Sequence, residues 1–150
     1  GAGGAVRGVL EPLLREAPAQ IHIVNRTLAR AERLAGEFAS LGRLSAGGYD
    51  DLGEREFDLI INASAAGLSG ETPLLPARVM TERSCCYDLL YGSAPTPFMR
   101  WAAHHAAWAV SDGLGMLVEQ AAESFYVWHR RRPETGPVIH DLRSVLSQAA

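Results

Sequence analysis

An α/β fold built on a parallel sheet is predicted by three features of the sequence. Short apolar or β-branched runs alternate with segments whose apolar residues recur at helical three-and-four spacing, and the connections between them are short. The run Phe57-Asp58-Leu59-Ile60-Ile61-Asn62 is continuous and β-branched, as expected of a parallel strand buried on both faces, and Cys85-Cys86-Tyr87-Asp88-Leu89 reads as another strand. The chain has 150 residues, 47% hydrophobic and 21% charged, which suits one ordinary domain with its own core and excludes disordered and fibrous classes.

The elements follow in order. The chain opens on Gly1-Ala2-Gly3-Gly4-Ala5-Val6-Arg7-Gly8, a glycine turn of the kind that follows a buried apolar strand, and that strand is expected to be missing. Val6, Val9, Leu10, Leu13 and Leu14 then share one face of a helix that Pro18 closes. Ile21-His22-Ile23-Val24 reads as a short strand, and Thr27 as the N-cap of a helix over 28–39. Residues 42–53 are turn-rich, with a short strand at 43–45 and a helical turn at 49–52. After the strand at 57–62 comes a loop with Gly67, Gly70, Pro73 and Pro76, then a short helix at 77–80 and the strand at 85–89. Pro97 opens a helix over 97–106, Trp108-Ala109-Val110 is the last strand, and helices over 114–128 and 137–146 complete the chain. No repeat, low-complexity tract or linker interrupts it, so residues 1–150 are expected to form one domain.

Charge and chemistry narrow the function. The net charge is −3, so no global basic field would draw nucleic acid or an anionic membrane. No apolar run approaches the ~20 residues of a membrane-spanning helix, and the first residues lack a secretory pattern, which leads to a cytoplasmic expectation. Adjacent Cys85 and Cys86 would point to opposite faces of a strand and read as reduced core residues. The 14 basic residues are all Arg, so this chain cannot complete a mechanism that needs a lysine ammonium. His104 and His105 diverge by about 100° on a helix and are not expected to share a metal. Arg130-Arg131-Arg132 suits a helix C-terminus, and Ser64 and Ser69 lack the setting of a hydrolase nucleophile.

A glycine turn entering a helix offers unpaired N–H groups and the positive end of the helix dipole to an anion, and side chains there would block a pyrophosphate. Gly1, Gly3 and Gly4 provide that clearance, although position 6, where a third small residue is usual, is Val6. About 20 residues further on, where a dinucleotide fold reads the adenosine ribose, an acid is absent. The strand instead ends Val24-Asn25-Arg26-Thr27, with Arg30 one turn later. Arg26 and Arg30 read either as solvated surface charges or as a clamp for the 2′-phosphate of NADP, and the glycine turn at the right distance favours the clamp. The architecture expected is a Rossmann-like doubly wound parallel sheet lacking its first strand.

With three later segments these residues resemble the shikimate dehydrogenase family, specifically its C-terminal NADP-binding half. The likeness runs the length of the chain. It rests on Gly1-Ala2-Gly3-Gly4-Ala5, Asn25-Arg26-Thr27 with Arg30, Phe57 to Ser64, Tyr87-Asp88-Leu89-Leu90-Tyr91 followed by Thr96-Pro97-Phe98, and Asp112-Gly113-Leu114-Gly115-Met116-Leu117-Val118-Glu119-Gln120-Ala121. The last is the most specific, because generic dinucleotide domains do not carry it. The resemblance implies that Gly1, Ala2, Gly3, Gly4 and Ala5 cradle the NADP pyrophosphate and that Asn25, Arg26, Thr27 and Arg30 grip its 2′-phosphate. It places Ser64 at the cofactor edge, Leu89 and Gly113 at the nicotinamide end, and Tyr91 and Gln120 against a polyol substrate. Gly113 opens a helix without a Cβ, leaving room for a flat ring against the backbone, and Gln120 lies two turns along on the same face. Without the motif, Gln120 would read as a surface amide and Tyr91 as a core lid. Ala65 departs from the family, which usually has a second hydroxyl there, and Leu89 is often Met.

The activity implied is the reversible NADPH-dependent reduction of 3-dehydroshikimate to shikimate, on the route to chorismate and the aromatic amino acids. In the family a Lys and an Asp from an N-terminal domain transfer the proton, and no residue here matches them. The chain is therefore expected to be the NADP-binding portion of the enzyme, inactive alone, with the N-terminal domain and a small-molecule substrate as its partners. A non-catalytic NADP-binding module and a quinate/shikimate paralogue are the alternatives.

Overall fold

The computed structural model describes residues 1–64 and 75–149, so the predicted loop positions Gly67, Gly70 and Pro73, and Ala65 and Ser69, lie outside the described residues. Helix α1 (Gly4–Arg15) buries Leu10 and Leu14 and contains Pro12. It ends before Pro18 is reached: Glu16 caps it and Ala17 turns the chain with φ 51, so the left-handed turn, not the proline, stops the helix. Strand β1 (Ile21–Val24), helix α2 (Leu28–Phe38) and strand β2 (Leu44–Gly47) follow, with a 3₁₀ turn at Asp50–Leu52.

Strand β3 (Phe57–Asn62) is where the sequence places it. The helix expected at 77–80 shrinks to a 3₁₀ turn, Ala77–Val79, because β4 (Met80–Asp88) begins five residues before the predicted strand. Met80 pairs with Phe57 and Cys85 with Leu59, and the extra residues of β4 form an irregularity between them. Ser84 holds it: its Oγ accepts the Thr81 N–H at 2.8 Å and donates to the Phe57 carbonyl at 2.6 Å. Helix α3 (Pro97–His104), strand β5 (Ala109–Ser111), helix α4 (Leu114–His129) and helix α5 (Gly136–Gln148) complete the chain. Among the described residues no helix is long and apolar enough to cross a membrane.

Every strand pairing is parallel, as predicted, but the strands form two sheets, β1-β2 and β3-β4-β5. One core gathers Leu10, Ile23, Ala31 and Leu34, the other Cys86, Phe98 and Ala102. Between β1 and β3, whose facing edges are unpaired among the described residues, runs a cleft of about 600 Å³ lined by Val9, Leu13, Ile23, Leu59 and Ile60. In the doubly wound order this is the position of the first strand. The cleft also corrects the expectation that β3 is buried on both faces: Leu59 is 47% exposed and only Asn62 is buried, because a strand side chain needs neighbours on both flanks to be covered.

Two unpaired apolar edges face each other here, which is an association hazard. An apolar strand of about five residues supplied ahead of Gly1 should fill the cleft and raise the thermal midpoint by roughly 5 °C or more, with a matching gain in solubility. Equal melting curves and solubility with and without it would show that the cleft does not accept a strand.

Candidate functional site

The parallel pairing of β3 and β4 puts their carboxyl ends side by side, and Gly1 brings the end of β1, in the other sheet, up to the end of β3. Gly1 donates its N–H to the Val24 carbonyl at 2.6 Å, and a Cβ on Gly1 would stand 2.7 Å from the Ala63 oxygen. Only glycine fits between the ends of β1 and β3. Gly3 and Gly4 differ: a Cβ on either would meet nothing, so these positions open outward. The first intrahelical bond of α1 runs from Arg7 N–H to the Gly3 carbonyl, leaving the N–H groups ahead of it without a helical acceptor. No side chain caps that end and no acid lies in its first turn.

The second wall is the corner after β1. Asn25 donates its side-chain amide to the Thr27 carbonyl at 2.9 Å and its backbone N–H to Gly47, so Asn25 shapes the turn. Thr27 occupies the N-cap position of α2 with extended backbone, ψ near 101°, but its hydroxyl makes no capping bond, contrary to the expectation from sequence. Arg26, Thr27 and Arg30 are exposed, and among the described residues neither arginine forms an ion pair, whereas Arg7 and Arg33 both meet Glu37. Tyr49, which sequence reasoning missed, stands close enough to Arg26 for its charge to oppose the upward pull of burial on the phenol.

The third component is a buried polar cluster at the ends of β3 and β4. Asp88 is fully buried, and its Oδ1 accepts from Asn62 Nδ2 at 3.0 Å and from the Leu90 N–H at 3.1 Å. Its Oδ2 accepts the Thr96 hydroxyl at 2.5 Å, and that hydroxyl oxygen accepts the Met99 N–H, capping α3. Asn62 Oδ1 in turn receives both the hydroxyl and the N–H of Ser64, at 2.7 and 3.1 Å. Ser64 is thereby held at the edge beside Gly1. Asp88, Asn62 and Thr96 were not singled out for function from the sequence; the signal available was an acid closing an apolar strand eight residues ahead of a Thr-Pro helix start.

The last component joins β4 to α4. Gly113 donates its N–H to the Leu90 carbonyl at 3.0 Å, and a Cβ on it would run into the Leu89 carbonyl, whose carbon would lie 2.7 Å away. The missing side chain thus makes room for the Leu89 backbone, a close approach that the sequence alone did not show. Leu89 and Gln120 line one cavity of about 420 Å³ together with Gly8, Ile61, Tyr87 and Met116. Met116, one turn before Gln120, was legible from helical spacing. Tyr91 is 45% exposed and does not line that cavity.

A glycine turn, an acid-free basic corner and a helix start, all at the carboxyl edge of a parallel sheet, define a dinucleotide-binding α/β protein. Comparison with known proteins narrows the class. Residues 1–84 match the model of the shikimate / quinate 5-dehydrogenase family, and residues 113–142 that of the shikimate 5'-dehydrogenase C-terminal domain. The chain belongs to the shikimate/quinate 5-dehydrogenase family. The shikimate dehydrogenase (NADP(+)) of Cellvibrio japonicus is 53% identical over 148 residues, spanning 99% of this chain and 54% of that protein. That of Alkalilimnicola ehrlichii is 58% identical, over 95% of this chain and 53% of its own length. Among solved structures, an Ael1 enzyme from Pseudomonas putida superposes with a TM-score of 0.87 at 44% identity, covering 95% of this chain and 52% of that one. The shikimate 5-dehydrogenase of Thermus thermophilus in complex with NADP(H) and shikimate does so with 0.80 at 35% identity, covering 97% and 53%. The chain thus spans about half the length of the relatives it matches.

Removing the hub of the buried cluster should cost more than removing one spoke. Asp88→Ala orphans three donors, two of them buried, and is expected to lower unfolding free energy by about 3 kcal/mol, while Thr96→Val, which loses one hydroxyl and a cap, should cost about 1 kcal/mol. Denaturant unfolding with unchanged slopes would report both. Equal losses would show that the cluster has no hub.

Proposed function

We propose that this chain is the NADP-binding portion of a shikimate dehydrogenase that interconverts 3-dehydroshikimate and shikimate. The observation that carries the reading is the pairing of two guanidinium groups, Arg26 and Arg30, neither with an ion-pair partner among the described residues, with the outward-open turn at Gly3 and Gly4 across the end of β1. A phosphate next to Arg26, Arg30 and the Thr27 hydroxyl gains charge-assisted bonds, whereas an NAD ribose finds no carboxylate for its 2′-hydroxyl. Gly1, Ala2, Gly3, Gly4 and Ala5 cradle the pyrophosphate at the amino end of α1. Asn25 holds the corner in shape. Ser64, fixed by Asn62, bounds the edge, and Leu89 with Gly113 meets the nicotinamide end. NADP(H), when bound, supplies the redox equivalent as hydride.

Gln120, on the cavity it shares with Leu89, presents an amide that both donates and accepts, which suits a polyol hydroxyl, and Tyr91 approaches from its exposed loop. Proton transfer falls to an N-terminal domain that closes over this edge, since the chain has no lysine. This portion is inactive without that domain. The setting is the cytoplasm, and the acidic balance of the chain argues against nucleic acid or an anionic membrane as partner.

Nucleotide titration of the full-length protein tests the reading. NADP should bind about a hundredfold more tightly than NAD, from two charge-assisted contacts of ~1.5–3 kcal/mol each partly offset by desolvation. Arg26→Ala with Arg30→Ala should erase most of that preference, and added salt should weaken NADP more than NAD. Equal binding of the two by the wild type would refute the assignment of the corner.

Gln120→Ala separates substrate from cofactor. Loss of a hydrogen bond to a buried hydroxyl, ~1–3 kcal/mol, should raise KM for shikimate roughly tenfold or more while NADP affinity stays unchanged. An unaltered KM would remove Gln120 from the site.

A further inference from the structure

Helix α5 has no buried residue, yet Arg143 in its middle reaches a buried acid 31 positions earlier in the chain. Its Nη1 donates to Oδ2 of Asp112 and its Nη2 to Oδ1, both at 2.6 Å, the two-pronged fork that a guanidinium makes with a carboxylate. Asp112 is only 6% exposed, and the Arg143 bonds hold its carboxyl below the ordinary range. The same Oδ1 accepts the Leu114 N–H at 3.2 Å, so one carboxylate is fixed by α5 and fixes the first turn of α4.

The residue between Asp112 and Leu114 is Gly113, bonded to the Leu90 carbonyl and with the Leu89 backbone standing where a Cβ would otherwise be. The Asp112 carboxylate is thus bonded to the turn in which Gly113 lies close to the Leu89 backbone. Two parallel bonds fix both the position and the plane of that carboxylate. A lysine at 143 would supply a charge but only a single point of attachment.

We propose that Arg143 is a positioning residue for the nicotinamide half of the cofactor. Through Asp112 it sets the Gly113–Leu114 turn against Leu89, and it has no part in gripping the adenosine half, whose corner at Arg26 and Arg30 lies on the other sheet. The inference rests on the cofactor reading above and adds a residue outside every segment on which that reading stands.

The test uses the full-length protein with Arg143→Met, Arg143→Lys and Asp112→Asn, and Arg143→Met combined with Asp112→Asn. Adenosine 2′,5′-bisphosphate, which carries the adenosine half alone, probes the basic corner. Its affinity should stay within about twofold in every variant, while kcat for shikimate oxidation falls about tenfold and KM for NADP moves less, as expected when a reacting group is held slightly out of place. Amide hydrogen exchange should quicken at residues 113–115 and stay unchanged at residues 26–30. Arg143→Lys should behave like Arg143→Met, and the double variant should be no worse than either single one, because both act through one bond pair. Bisphosphate affinity falling in step with kcat, or a lysine variant equal to wild type, would leave the pair as scaffolding and overturn the inference. A wild type that binds neither NADP nor the bisphosphate would overturn the cofactor reading itself, a result visible before any Arg143 variant is measured.

Discussion

The carboxyl group of Asp88 has no solvent contact and forms no ion pair among the described residues, so its burial is tolerable only while each oxygen is given neutral donors. Those donors come from three different places: the end of β3, the residues just past β4, and the start of α3. Satisfying one acid thus brings three chain segments to a common point at the carboxyl edge of the sheet. Leu90, held there by its N–H, presents its carbonyl to Gly113, and Asn62, held by its amide, presents its oxygen to Ser64. The placement of Ser64, Leu89 and Gly113 follows from that one buried group.

Charge is distributed to match. Among the described residues, Arg15 meets Glu11 on an exposed helix face and Arg132 meets Glu119 from the loop after α4, exposed pairs of a kind that contributes little stability. The pair that differs is Arg143 with buried Asp112, which acts on geometry, since it locks the entry to α4. Arg26 and Arg30 form the opposite case. They stand exposed at a corner where neither the first turn of α1 nor that of α2 holds an acid, and the positive ends of both helices add to the same local field. The chain is acidic overall, so this site is basic by arrangement and not by composition.

Two glycines show how backbone proximity, and not flexibility, selects a residue. Gly1 fits against Ala63 and Gly113 against Leu89, each joining a helix start to a strand end that is distant in sequence. Gly3 and Gly4 have no such neighbour. The first two are required by the fold of the protein itself; the latter two leave the amino end of α1 accessible to an anion.

Much of this was legible in the sequence, because the features concerned are local. Hydrophobic period, which depends on residues a few positions apart, placed most of the helices and the parallel strands, and the fixed span of about 20 residues from the glycine turn to Asn25-Arg26-Thr27 marked the basic corner. What tertiary structure alone decided involves contacts across long separations. The early start of β4 depends on Ser84 meeting the Phe57 carbonyl, the exposure of Leu59 on a neighbouring strand edge, the reason for Gly113 on the Leu89 backbone, and the fork of Arg143 on an acid in another helix entry. A one-dimensional pattern carries the periodicity of an element but not the identity of the group it will face, and those facing groups set the registers, burials and hydrogen bonds that shape the site.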